Sequence, residues 1–306
     1  MDEIKLLLGV DCYNELLNGG FSTLQHIILA DHKILQGLTG ASSDTVQKCM
    51  YIASEKLLQN KFCTAKQIEP CHRISIGCTN LDGLLNGGIP VNGINELYGC
   101  SGVGKTQLSL QLALQIQLPV HLGGKGQEVV YICTEDVFPS KRLIQLACAF
   151  RSKYNVDICF EDRIYIEHIP NFVRLQKCLN LLPQFLLGKK VGLIIIDSIA
   201  GLFRSDTENP NYVARSQEFT VLGKVLIELQ EKCKFGILTI NQVVDNLSSG
   251  LTEPSLGLSW ANNVTSRFGL SRNNTDPIRR FDVIFSPDLA PSFSNLLITP
   301  EGILDA

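Results

Sequence analysis

The chain has no Cys-x-x-Cys pair, although it carries eleven cysteines among 306 residues. That spacing excludes the common zinc ribbons. An odd count scattered through apolar runs, with Cys133 in a predicted strand and Cys148 in a predicted helix, reads as reduced intracellular thiols rather than a disulfide framework. No uncharged apolar run is long enough to span a bilayer and no signal-peptide pattern opens the chain, so no membrane partner is expected. Positive charge is not in excess either. A formal net charge of -3 excludes a freestanding nucleic-acid binder working through a broadly basic face, while leaving room for contact through local loops or an assembly. Internal repeats, low-complexity segments and a basic import run are absent. At this length one to two domains with a substantial core are expected.

What is present is more specific. Gly99-Cys100-Ser101-Gly102-Val103-Gly104-Lys105-Thr106 has the spacing of a phosphate-binding loop, with an extended run, Ile94 to Tyr98, before it and a helix-forming run after it. Backbone N–H groups of such a loop cradle phosphate oxygens at a helix start. Lys105 adds charge on the outer phosphates and the Thr106 hydroxyl takes one position on Mg2+, so ATP and Mg2+ are the expected ligands. The following run, Leu108 to Leu118, alternates apolar and polar residues as a strand does. Leu, Gln and Ala are helix formers, and the loop requires a helix dipole behind it, so a helix is expected instead.

Residues 1–60 read as a small helical domain. Leu24 to Ala30 and Val46 to Leu58 are helical segments broken by Gly19-Gly20 and by Gly37-Leu38-Thr39-Gly40, which suggests a helix-hairpin-helix whose glycines either approach a phosphate or simply make the turn. A linker follows at 61–74. Residues 75–306 alternate strands (Glu128 to Thr134, Arg163 to Ile169, Val191 to Ile196, Phe235 to Ile240) with helices (Lys141 to Phe150, Val173 to Leu187, Gln217 to Lys232), the pattern of an α/β fold with a largely parallel sheet covered on both faces. Beyond Asn241 shorter segments indicate loops and strands added at one edge.

Ligands of open α/β sheets bind at the carboxyl ends of strands. Asp197 ends the apolar run Val191 to Ile196 and is placed to orient Mg2+, directly or through water. Hydrolysis also needs a group to orient water. Glu135, which closes a strand expected beside the one leading to Lys105, is the first choice and Asp136 the second. Gln242 ends another apolar strand, where its amide is placed to touch the terminal phosphate and report it to the loop that follows.

These residues together resemble the RecA-type recombinase family over nearly the whole chain. The phosphate loop, Glu135, the Walker-B Asp197 and Asn241-Gln242 occur in that family's order, and Leu81 to Ile89 resembles its eukaryotic and archaeal branch. The resemblance implies a RecA-like P-loop ATPase core preceded by a small all-α domain. It also implies that Phe62 and Ala65, within Phe62-Cys63-Thr64-Ala65, are a docking motif filling pockets on a neighbouring protomer. Tyr131 to Leu143 and Leu256 to Asn262 resemble a paralogue rather than the principal recombinase. The implied partners are a C-type recombinase paralogue, the principal recombinase, and single-stranded or branched DNA in homologous-recombination repair, with placement in the nucleus and the cytoplasm second. Arg142 is implied to stack on adenine.

Departures accompany these matches. The family's first DNA loop falls near Arg204 to Arg215, which makes Arg204 and Arg215 DNA-contact candidates. The second falls near Val244 to Asn262 and has no Lys or Arg, whereas single-strand grooves pair basic groups with stacking aromatics. Trp260 is a DNA-stacking candidate there, although a lone Trp beside Leu256 and Leu258 is more often part of the core. Phe285 stands before Ser286-Pro287 where principal recombinases carry an acid, which disfavours their cap chemistry over a neighbour's ATP. The expected activity is a slow, DNA-dependent ATPase acting as a recombination mediator in a hetero-oligomer. A nucleotide-stabilised adaptor is the alternative, and a filament-forming recombinase is third.

Overall fold

The computed structural model describes residues 1–57, 64–67, 71–206, 212–246, 251–272 and 277–306. It divides into two compact units, Met1–Pro70 and Cys71–Ala306.

The first unit is helical: α1 (Asp2–Leu8), α2 (Val10–Asn18), α3 (Leu24–Leu29), α4 (His32–Thr39) and α5 (Ser43–Leu57). Ile4, Leu16, Ile27, Leu35, Val46, Cys49 and Ala53, contributed by all five, form its core. The ends are set by local chemistry: Thr23 Oγ1 accepts from the His26 N–H, and Asp31 Oδ1 accepts from the Lys33 N–H. The expected turn around Gly37 is corrected, because Gly37 lies inside α4 and only Gly40, at φ 61°, ends the helix. Ala65 opens a short exposed 3-10 turn, whereas Phe62 and Cys63 lie outside the described residues.

In the second unit, β1 (Arg73–Ile74) pairs antiparallel with β2 (Ile89–Pro90) around α6 (Thr79–Leu84). Residues 71–74, assigned above to the linker, therefore belong to the larger unit. Its main sheet is built from β3 (Ile94–Tyr98), β4 (Glu128–Cys133), β5 (Ile164–His168), β6 (Val191–Asp197) and β7 (Gly236–Asn241). The helices α7 (Lys105–Gln115), α8 (Ser140–Tyr154), α9 (Phe172–Phe185) and α10 (Tyr212–Cys233) fall between these strands. A hairpin of β8 (Val243–Asn246) and β9 (Leu251–Pro254) and a short helix, α11 (Gly257–Ala261), come next. Then β10 (Ser266–Arg272), β11 (Ile278–Phe285), β12 (Ser292–Thr299) and β13 (Gly302–Asp305) complete nine strands in the order β13-β12-β11-β10-β3-β7-β6-β4-β5. Strand β10 is parallel to β3, and β11 to β13 add antiparallel. No described helix is long and apolar enough to cross a membrane.

Helix α7 shows why alternation misleads. From Leu108 to Gln115 every residue is buried, and the helix's glutamines meet protein groups: Gln107 accepts from Arg142 and Gln115 from the Tyr154 hydroxyl, while Gln111 meets backbone. Gln111 donates to the carbonyls of Ile76 (2.9 Å) and Ile303 (3.1 Å) and accepts from the Ile303 N–H (2.6 Å), tying α7 to β13. One expectation about order is corrected. Strand β4 is not beside β3, because β7 and β6 lie between them. A strand leaving the phosphate-loop helix crosses outward, and later strands fill the gap.

Candidate nucleotide site

The register of the sheet decides which chain segments meet. Tyr98 lies opposite Asn241, Ile240 opposite Asp197, and Asp197 opposite Cys133. The phosphate loop, Gln242, Asp197 and Glu135 therefore emerge from the carboxyl ends of four neighbouring parallel strands, β3, β7, β6 and β4.

Within the loop, Gly99, Cys100, Ser101, Gly102, Val103 and Gly104 run to the start of α7 at Lys105. Gly99 is required by space and Gly104 by its backbone conformation. A Cβ on Gly99 would lie 2.3 Å from the Leu270 carbonyl oxygen, and one on Gly104, at φ +115°, 2.2 Å from Ile298 Cδ1. Lys105 Nζ donates to the Gly99 and Cys100 carbonyls, both at 2.7 Å. Burial lowers its pKa, with Asp197 the largest opposing influence. A phosphate is a charged acceptor and a stronger partner for this ammonium than either carbonyl.

Asp197 is the electrostatic centre. Its Oδ2 accepts from Thr106 Oγ1 and from the Tyr131 hydroxyl, both at 2.8 Å. Ser109 Oγ lies 2.9 Å from the Tyr131 hydroxyl. Burial raises the Asp197 carboxyl above its ordinary value, against the two hydroxyl hydrogen bonds and Lys105, which lower it. A cation beside Asp197 would relieve that burial cost. The adjoining hydroxyl and carboxylate are the oxygen donors Mg2+ takes from protein, so the residues fit that ion. Among the described residues no cluster of three or more His, Cys, Asp or Glu is arranged to hold a metal. The remaining ligands would come from phosphate and water. A cavity of about 150 Å³ beside these groups is lined by Thr106, Tyr131, Glu135, Asp136, Pro139 and Asp197, among others.

Glu135 reaches the site although two strands separate its own from β3: Gln242 Nε2 donates to Glu135 Oε2 at 2.7 Å. Gly201 lets the Glu135 side chain lie close, since a Cβ there would meet Glu135 Cγ at 2.3 Å. Arg142, on α8, donates through Nε to Gln107 (2.6 Å) and through Nη1 and Nη2 to the carbonyls of Pro300 and Thr299 (both 2.7 Å). Its donors thus serve the protein, and its contribution to a base would come from the guanidinium face.

The DNA-contact candidates separate. Trp260 is corrected: it has no exposed surface, packs 5.9 Å from Phe219 and donates its indole N–H to Glu96 at 2.9 Å, so it offers no stacking platform. Arg215 is half-buried, its guanidinium on the Phe203 carbonyl and over the Phe203 ring at 5.7 Å. Arg204 falls in the 3-10 segment Ala200–Asp206. Tyr131 and Ser109 were missed, because a Tyr within an apolar strand run looks like core until the Walker-B strand lies beside it. All ten described cysteines are free. Burial, with Asp197 and Asp136 nearby, pushes the Cys133 thiol up to about 12.

Comparison with known proteins agrees with this arrangement. The Rad51 family description matches residues 68–306. DNA repair protein XRCC3 of Mus musculus is 34% identical over 323 aligned positions covering 93% of this chain and 92% of that protein. A DNA repair protein XRCC3 homolog of Arabidopsis thaliana is 33% identical, covering 76% of this chain and 92% of its own. DNA repair protein RAD51 homolog 3 of Cricetulus griseus is 28% identical, covering 95% and 86%. With its site residues on the carboxyl ends of one parallel sheet and this similarity along most of its length, the chain belongs to the Rad51 family.

Proposed function

We propose that this protein binds ATP with Mg2+ and serves homologous-recombination repair as a mediator that hydrolyses ATP slowly in a DNA-dependent way. The observation that carries this reading is the contact of Gln242 with Glu135 beside the Thr106–Asp197 pair. A group that orients water and a group that senses the terminal phosphate are joined by one hydrogen bond. ATP would lie on the phosphate loop with Lys105 on its outer phosphates, Thr106 and Asp197 holding Mg2+, and Arg142 against the base. Bound Mg2+ supplies neutralisation of charge on the transferring phosphoryl group. Glu135 orients water and takes its hydrogen bond as oxygen attacks the terminal phosphorus and the bond to the bridging oxygen breaks. Once its partner carboxylate is engaged with water, Gln242 is released to the phosphate and so couples occupancy to β8–β9.

The names of the relatives, DNA repair proteins in mouse, plant and hamster, support the repair role; with it go a nuclear setting, the cytoplasm second, and association with a C-type paralogue and the principal recombinase as parts of the proposal. In this reading Phe62 and Ala65 dock on a neighbour. A neighbour's equivalent segment would in turn add to the terminal strand β5, where a groove of about 520 Å³ includes Tyr165, Ile166, Leu181 and Phe185. Phosphate release by the copurified complex should rise with single-stranded or branched DNA and be lost in Glu135→Gln. Equal release with and without DNA would reject the DNA-dependent reading.

A nucleotide-stabilised adaptor is the second reading. The burial of Trp260 and the lack of Lys and Arg between Val243 and Pro254 favour it. Copurification of Lys105→Ala that retains all partners but no nucleotide would reject dependence of assembly on ATP.

A further inference from the structure

Glu96, on β3 three residues before the phosphate loop, has no exposed surface. A buried carboxylate persists only where its lone pairs are taken by donors, and here three elements supply them. Oε1 accepts from Trp260 Nε1 on α11 (2.9 Å) and from Asn241 Nδ2 at the end of β7 (2.8 Å), and Oε2 accepts from Arg267 Nε on β10 (2.5 Å). An ionised carboxylate only accepts, so it dictates that Asn241 presents its amino group and not its carbonyl oxygen. The rest of the Asn241 amide then falls into place. Its second N–H goes to the Ser255 carbonyl (2.9 Å), while Oδ1 accepts from the Gln242 backbone N–H (2.8 Å) and from Ser255 Oγ (2.5 Å). The Ser255 N–H donates to the Gln242 carbonyl at 2.8 Å. One side chain thereby clamps both feet of the β8–β9 hairpin and the backbone from which Gln242 reaches Glu135.

We propose that Glu96 is a positioning residue for Gln242, acting through Asn241, and that Trp260, held on the same carboxylate, registers the nucleotide-dependent change at the Gln242–Glu135 contact. The proposal rests on the ATP reading and names a residue outside the expected site. The same cluster adjoins two other segments. Trp260 continues into Phe219, Phe203 and Phe172, with successive ring centroids at 5.9, 4.6 and 5.6 Å, and Phe203 belongs to the segment after Asp197. Arg267 lies over the Phe285 ring at 5.3 Å. The Gln242 backbone, the hairpin feet and the Phe285 strand end are therefore referred to a single buried charge.

Trp260 is the chain's one tryptophan, so its intrinsic emission reads this cluster without a label. The full chain is titrated with a non-hydrolysable ATP analogue and Mg2+, and occupancy is measured separately by displacement of a fluorescent nucleotide. Emission from Trp260 is expected to change in step with occupancy. In Asn241→Ala, which leaves Glu96 the Trp260 and Arg267 donors, nucleotide affinity is expected to fall by about 100-fold at most, the range of the one hydrogen bond Gln242 would give a charged phosphate, while the emission change is lost. Glu96→Gln, which places an amino group among donors, is expected to lower kcat for ATP at least tenfold with little change in KM. Occupancy without any emission change in the parent, or a full change retained in Asn241→Ala, overturns the proposal. Failure of the folded parent to bind nucleotide overturns the ATP reading itself and the proposal with it.

Discussion

Removing the Tyr131 hydroxyl tests the electrostatics of the Walker-B carboxylate at a single atom. In Tyr131→Phe the ring keeps its edge-on packing against Phe138, with centroids 5.1 Å apart, while Asp197 loses one of two hydroxyl donors and keeps Thr106 at 2.8 Å. A hydrogen bond to a charged group contributes about 1.5–3 kcal/mol. For a folding unit of this size each kcal/mol moves Tm by about 2–4 °C, so the nucleotide-free variant should melt roughly 3–12 °C lower. A second effect concerns Mg2+. When the Thr106 hydroxyl turns to the cation, Tyr131 is the remaining hydroxyl on Oδ2. Loss of about 1.4 kcal/mol of orientation then raises the Mg2+ concentration for half-maximal nucleotide binding about tenfold. Scanning fluorimetry in EDTA and a fluorescent-nucleotide titration against Mg2+ measure the two. A melting point within about 1 °C of the parent, together with an unchanged Mg2+ midpoint, refutes the reasoning. A lower melting point alone assigns the hydroxyl to holding Asp197 in the nucleotide-free fold and not to Mg2+ binding.

Three further outcomes follow from the same geometry. Burial holds the Asp197 carboxyl above its ordinary value, so between the two values the native state keeps a proton that the unfolded chain has released, and stability falls as pH rises through that window. In EDTA, Asp197→Asn should gain stability relative to the parent as pH rises above the ordinary carboxylate range, read by urea unfolding, and parallel profiles would contradict this. Trp260→Ala should cost about 3–5 kcal/mol as a core truncation that also removes a donor from Glu96, and a near-neutral change in denaturation midpoint would return Trp260 to the surface. Gly99→Ala drives a Cβ to 2.3 Å from the Leu270 carbonyl oxygen, backbone that yields poorly, and should cost about 1–3 kcal/mol and weaken nucleotide binding, as seen by thermal melting with and without ATP.

The phosphate loop was legible because its chemistry is local: glycines for close approach, a lysine and a threonine at fixed spacing. Asp197 was legible for the same reason, as an acid ending an apolar run. The α7 helix was read correctly only by overruling its alternation, and one cause, the buried Gln111 bonded to the backbone at Ile76 and Ile303, lies in contacts 35 and 192 residues distant. Gly37 was misread because glycine marks turns in most contexts, yet α4 carries it inside a helix whose core face is supplied by Leu35 and Thr39.

Residue types and their local spacing determined the phosphate-loop pattern, the alternation of strands and helices, and the groups proposed to meet a nucleotide. Strand order was decided only by tertiary structure. Hydrogen bonding between strands far apart in sequence set β7 and β6 between β3 and β4, brought Gln242 to Glu135, and closed Glu96, Asn241, Trp260 and Arg267 around one buried charge. A sequence records which groups can pair, whereas burial and register select the pairs that form.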